Sequence, residues 1–358
     1  MTRPARARVD LEALQHNFQC IQQAAPGSRV MAVIKANGYG HGLVDVARAL
    51  PAADAFGVAT LDEAVSLREA GFDCRIVLLE GFFGADDIPL VSGYRLDVVL
   101  HHPSQIDWLE QTPPGRALDV WLKIDTGMNR LGFAPANVST TIDRLAQLGC
   151  IGSLRLMSHL ACADDPDNDY TTRQLDRFRE ATRDLQGERS LANSAALLAW
   201  PDTRMDWVRP GIMLYGASPL LNKTADALGL RPVMTLETRL IAVNRHQAGD
   251  AVGYGGDWVC PEAMHVGVAA IGYGDGYPRH APSGMPVLVN GERTSIIGRV
   301  SMDMICIDLR PQPDAGIGDE VVLWGEGLPV DEVAARAGTI AYEILCSVNN
   351  RVQFEYTE

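Results

Sequence analysis

The sequence predicts a (β/α)8 barrel of the TIM type followed by a mostly antiparallel β domain. Up to about Gly216, eight short apolar runs alternate with amphipathic segments of helical length, the rhythm of a closed parallel sheet with crossover helices. After about Leu230, short runs bounded by Gly, Pro and Asn replace the helical spacing and read as antiparallel strands with close turns. A chain of 358 residues with 47% hydrophobic content can bury a core of this size. The barrel is expected over residues 9–230 and the β domain over 231–358, with residues 1–8 free to pair with the latter. A doubly wound sheet is the alternative for the first part, because strand order is not written in one sequence.

Taken in order, Leu11–Ala25 has helical spacing of apolar residues at Leu11, Leu14, Phe18 and Ile21. The eight barrel strands fall at Val30–Ala36, Ala55–Thr60, Arg75–Leu79, Asp97–Leu100, Val120–Ile124, Leu154–His159, Ser190–Asn193 and Trp207–Tyr215. Leu61–Ala70, Ala85–Tyr94, Ser104–Glu110, Ala136–Leu148 and Thr171–Leu185 supply crossover helices. The β domain reads as strands at Pro232–Val243, Ala251–Tyr254, His265–Ile271, Met285–Val289, Thr294–Val300, Met304–Leu309 and Glu320–Trp324. There, only Val330–Ala337 has helical spacing.

The net charge of −14 argues against nucleic acid or an anionic membrane as a partner. The basic start, Met1 to Arg8, leads into no apolar signal core, and no run approaches the ~20 apolar residues of a membrane span. Seven scattered cysteines without a Cys-x-x-Cys pair suit reduced thiols rather than disulfides or a zinc site. A cytoplasmic protein without a metal is expected.

Candidate chemistry collects at the strand ends, where barrels of this kind place their reactive groups. Val30-Met31-Ala32-Val33-Ile34 runs into Lys35, then breaks into a glycine-rich turn containing Tyr39 and His41. Lysine is rarely buried unless paired or used, and a desolvated amine is a good carbonyl nucleophile. The plain alternative is a side chain that reaches solvent from the strand end. The fifth strand delivers Lys123 and then Arg130, the sixth His159, the seventh Asn193 and Ser194, and the eighth Arg209, Gly211 and Ile212. A core histidine is the plain reading of His159 alone. Together, a strand-one lysine facing amides and a hydroxyl at strands seven and eight has the layout of a pyridoxal phosphate site.

At these residues the chain resembles the pyridoxal phosphate-dependent alanine racemases, over essentially its whole length. The resemblance rests on Val33–Gly42, Leu122–Gly132, Trp207–Gly216, Val252–Gly255, Ile271–Pro278 and Gly298–Asp303. It implies that Lys35 carries the coenzyme and serves as base on one face of the substrate. Tyr254, from the partner subunit of a homodimer, is implied as the base on the other face. Arg209 is implied to contact the pyridine nitrogen and Arg130 the phenolic oxygen. Tyr39, Ser194, Gly211, Ile212 and Tyr342 are implied to hold the phosphate, with Asn193 and His159 beside them, His159 linking Arg209 to Tyr254. Met302 is similar to a partner residue whose amide meets the substrate carboxylate, Tyr273 to one that narrows the entrance, and Lys123 to a lysine that can be carbamylated. The substrate implied is alanine, for D-alanine supply to peptidoglycan or for alanine breakdown. The alternatives weighed are a racemase of broader specificity, a pyridoxal phosphate-dependent decarboxylase and a coenzyme carrier. A decarboxylase would need an acid-donor cysteine beside an acidic pocket, a setting not expected of Cys260, Cys306 or Cys346.

Overall fold

The computed structural model describes residues 3–358; residues 1 and 2, the start of the stretch expected to pair with the β domain, lie outside the described residues. Strand β1 (Arg6–Asp10) belongs to the second sheet. The barrel follows: β2 (Arg29–Val33), β3 (Ala55–Val58), β4 (Arg75–Leu78), β5 (Asp97–Leu100), β6 (Leu118–Lys123), β7 (Ile151–Met157), β8 (Arg189–Asn193) and β9 (Trp207–Arg209) close in sequence order. All their pairings are parallel, β9 returning to β2 through Arg29 and Val30.

Small and large side chains fill the interior together. Met31, Ala55, Val77, Val99, Trp121, Met157 and Trp207 form one buried layer, in which the two indoles meet edge to face at 5.4 Å. Below this layer, at the strand starts, charges plug the barrel. Arg75 pairs with Asp97 and, at 3.1 Å, with Asp119. The Trp121 indole N–H donates to Asp97 at 2.9 Å. Arg155 bonds Glu188 at 2.7 Å, and Glu188 also accepts from Trp207 and pairs with Arg29. Each buried charge there has a partner, as desolvation demands.

The second sheet comprises β1, β10 (Met234–His246), β13 (Met264–Ala269), β14 (Pro286–Val289), β15 (Glu292–Ile297), β16 (Ile305–Asp308), β17 (Glu320–Trp324) and β18 (Gln353–Thr357), while β11 (Ala251–Val252) and β12 (Trp258–Val259) form a separate hairpin. The main order is β13-β16-β15-β14-β17-β10-β1-β18, and β13 also pairs with β10, so six strands curl into a ring. All its pairings are antiparallel except β1 with β18. The Asn17 amide fastens the helix Leu11–Ala24 to the carbonyls of Leu214 and Arg231, at the junction of the two sheets.

Three expectations change. The first barrel strand ends at Val33, not Ala36, because Ala36 to Tyr39 take positive φ and cannot continue a pleat. The last ends at Arg209, because Pro210 offers no N–H and Ile212–Tyr215 turns as a 3-10 helix. The β domain contains a second helix, Ala341–Ser347; it starts at Ile340 with no capping side chain, so its sequence carries no start signal. No helix among the described residues is long and apolar enough to cross a membrane.

Burial raises the Asp97 carboxyl above its ordinary range, against the opposing pull of Arg75. Arg75→Met should cost ~2–3 kcal/mol in urea unfolding at pH 8, below the ~3–5 kcal/mol of a fully buried pair because the arginine side chain is 26% exposed. The substitution raises the folded-state pKa of Asp97 further. The folded chain then binds the extra proton, and the loss should shrink at pH 5. An equal loss at both pH values contradicts the pairing.

Candidate active site

At the carboxyl ends of the barrel strands lies a cavity of about 570 Å3. Beyond β2 the backbone makes one left-handed turn, with φ of 54° at Ala36, 55° at Asn37, 63° at Gly38 and 51° at Tyr39. Three of these four residues carry a Cβ, a conformation worth about 1–3 kcal/mol of strain each. Side-chain bonds oppose that strain. Asn37 Oδ1 accepts from the Leu43 amide at 3.0 Å. His41 Nδ1 donates to the carbonyls of Tyr39 at 2.9 Å and Gly38 at 3.1 Å. Complete burial lowers the His41 pKa to about 4, so the ring is neutral. The turn aims Lys35 and Tyr39 into the cavity, where Tyr39 stacks on Tyr215 at 4.7 Å.

Four cations line the cavity: Lys35, Lys123, Arg130 and Arg209, against one carboxylate, Glu80. Arg209, at the end of β9, is buried, donating to Ser190 Oγ and the Ser158 carbonyl at 2.6 Å each. Burial brings its pKa down to about 10. Its Nη2 reaches His159 Nδ1 at 3.4 Å; a guanidinium only donates, so Nδ1 accepts and the His159 proton sits on Nε2. Burial first, then Arg209 and the other cations, keeps His159 neutral. Lys123 ends β6 and is brought down to about 8 by burial and then by Arg209, Arg130 and Lys35, with Glu80 opposing.

Opposite stand uncharged donors. Asn193 caps the helix Ser194–Ala199 by accepting from the Ala196 amide at 2.9 Å. Ser194 Oγ accepts from the Gly211 amide at 2.8 Å and the Met213 amide at 3.5 Å, leaving its own hydrogen for a ligand. At Gly211 a Cβ would stand 2.5 Å from the Tyr39 hydroxyl, so only glycine keeps this wall open. Tyr342, from the helix Ala341–Ser347, closes the rim, with its phenol pushed up to about 12 by burial.

Lys35, Tyr39, Lys123, Arg130, His159, Asn193, Ser194, Arg209, Gly211, Ile212 and Tyr342 therefore share one cavity. Tyr254, Tyr273 and Met302 do not join them within one chain: they stand on the β domain, 67%, 38% and 52% exposed. Sequence reasoning passed over Glu80 and set Cys346 aside, yet both stand in the cavity wall. Glu80 follows the third barrel strand and was open to the same strand-end rule; Cys346 rides on the helix that lacks a start signal. One β-domain cysteine thus reaches the site, but burial raises its thiol pKa and the surrounding wall is cationic, not the acidic setting a decarboxylase would need.

Residues 9–219 match the family signature described as alanine racemase, N-terminal domain, and residues 233–356 that of the C-terminal domain. The alanine racemase of Thioalkalivibrio sulfidiphilus is 56% identical over 361 residues, covering 99% of each chain. That of Shewanella baltica strain OS195 is 52% identical, covering 97% of each. Among solved structures, the biosynthetic alanine racemase of Pseudomonas aeruginosa superposes with a TM-score of 0.97 at 46% identity over 100% of both chains. The alanine racemase of Acinetobacter baumannii gives 0.94 at 40% identity, over 99% of this chain and 100% of that one.

The depressed basicity of Lys123 is open to direct measurement. The sequence holds only three lysines, Lys35, Lys123 and Lys223, so each is resolved by peptide mapping. Acetic anhydride labelling of coenzyme-free protein should show Lys123 half-reactive near pH 8. A midpoint near the ordinary ~10.4 contradicts the crowding of cations around it.

Proposed function

The chain belongs to the alanine racemase family, and from that membership we propose that it interconverts L- and D-alanine with pyridoxal 5'-phosphate, in a homodimer whose sites are shared. The observation that carries the coenzyme reading is the cavity's charge: four cations face one carboxylate beside three hydroxyls and a glycine-thin wall. That donor set fits a phosphate ester bearing an aldehyde. Lys35 would hold the aldehyde carbon; Tyr39, Ser194, Gly211, Ile212 and Tyr342 would hold the phosphate, and Asn193 would fix the wall beside it. When bound, the coenzyme ring takes up the electron pair left as the substrate Cα–H bond breaks.

Racemisation needs a proton removed from one face of Cα and returned to the other, hence two positioned bases. Lys35 Nζ would serve one face and Tyr254 of the partner subunit the other. Tyr254 is two-thirds exposed and does not line its own chain's cavity, which supports a role across an interface. His159 Nε2–H, pointed away from Arg209, can donate to the Tyr254 phenolate oxygen and so hold the charge of that base. Arg209 would meet the pyridine nitrogen as a hydrogen-bond donor; a guanidinium keeps its protons, so that nitrogen would stay uncharged. Arg130 would meet the phenolic oxygen. Met302 and Tyr273 of the partner would contact the substrate carboxylate and narrow the entrance. Lys123, buried in the cavity wall and about half free base at pH 8, can add carbon dioxide with loss of a proton; the resulting carbamate would give Arg130 a counter-ion. Bicarbonate should then protect Lys123 from acetylation. The biosynthetic designation of the Pseudomonas aeruginosa relative supports D-alanine supply as the role, and a cytoplasmic setting accords with it.

Inactive Lys35→Ala and Tyr254→Ala dimers, mixed and allowed to exchange subunits, should recover roughly a quarter of wild-type activity, because each hybrid rebuilds one intact site. Activity is read as exchange of the alanine α-hydrogen in D2O. Absence of recovery after demonstrated exchange contradicts shared sites.

A further inference from the structure

The loops carrying Tyr273 and Met302 are fastened to each other and to both ends of the chain. The Tyr273 amide donates to the Ser301 carbonyl at 3.0 Å, and the Gly274 amide to the Met302 carbonyl at 2.9 Å. A Cβ at Gly272 would overlap these carbonyls, so the two backbones touch. Between them Asp275 is fully buried and accepts from the Gly272 amide at 2.9 Å. Its counter-ions come from far along the sequence. Arg3 reaches Asp275 at 2.6 Å and the Asp303 carbonyl at 2.7 Å. Arg351 reaches Asp275 at 3.3 Å and also pairs with the Asp303 carboxylate. The segment bearing Arg351 wraps the same loop: Asn349 donates to the Gly274 carbonyl at 3.0 Å and Ser347 to that of Gly276 at 2.7 Å.

We propose that Arg351, together with Arg3, is a positioning residue that sets the Met302 and Tyr273 loops for the partner subunit's site. The proposal rests on the shared-site reading above. Arg351 touches no cavity residue of its own chain's site, so it acts through the loop. An amide that holds the substrate carboxylate contributes the same binding before and during the reaction. Its displacement therefore raises KM and leaves kcat nearly unchanged. One lost charge-assisted contact corresponds to a KM rise of about 10-fold.

Two hybrids with wild-type or variant partners separate the possibilities. With Lys35→Ala and Arg351→Gln on one chain and a wild-type partner, the only live lysine faces the altered loops. KM for alanine should rise ~10-fold with kcat within ~3-fold. With the two substitutions on different chains, the live lysine faces intact loops, and KM should stay at the wild-type value. Arg351→Lys should restore most of the affinity, and coenzyme absorbance, halved in both hybrids by the loss of one Lys35, should be the same in the two arrangements. A KM rise only in the different-chain arrangement overturns the shared site itself. An unchanged KM in both arrangements overturns the positioning role and leaves the shared site standing. If Arg351→Gln does not fold, Arg3→Gln tests the same clamp with the same expectations.

Discussion

Four cations held in one cavity with a single carboxylate form the constraint on which the rest of the structure depends. Burial disfavours a charge and like charges repel: burial and then the neighbouring cations bring Lys123 down to about 8, and burial brings Arg209 down to about 10. A buried cation without a counter-ion is costly, so such a cluster persists where an anion offsets it. At the other end of the barrel Arg75, Arg155 and Arg29 each face a carboxylate. The same fold thus neutralises its charges at the strand starts and leaves them open at the strand ends, which is where a phosphate ester would enter.

The scaffold supplies precision at this open end. Arg209 is held by two oxygens from β8 and the end of β7, so its guanidinium cannot turn away. Lys35 leaves β2 on a left-handed turn that sequence preference alone would not form. His41 and Asn37 hold that turn through backbone hydrogen bonds, and the stacked rings of Tyr39 and Tyr215 pack against it. Strain of this kind survives only where the surroundings fix the backbone more firmly than local preference opposes it.

Much of this was legible in the residues. The eight apolar runs, with helix-length pieces between them, carried the barrel, because a strand buried on both faces is apolar throughout. Residues at the strand ends, from Lys35 through Arg209, pointed to the mouth as the place of chemistry. The turn at Ala36–Tyr39 was not legible, since positive φ at alanine and tyrosine is held by side-chain bonds from Asn37 and His41 and by stacking on Tyr215 rather than by local preference. The helix carrying Tyr342 and Cys346 was hidden by the lack of a cap at Ile340. Glu80 was open to the strand-end rule and was passed over. Asp275 was ordinary in sequence; its burial between arginines from the two chain ends emerges only once the loops are folded.

The most direct measurement is reduction of the coenzyme-loaded protein with borohydride, followed by peptide mapping of the three lysines. A visible absorbance band that vanishes on reduction, with the coenzyme left covalently on Lys35 alone, is the expected result. Protein that stays colourless in pyridoxal 5'-phosphate, or carries the label on Lys123 or Lys223 instead, would contradict the assignment of Lys35 as the group that holds it.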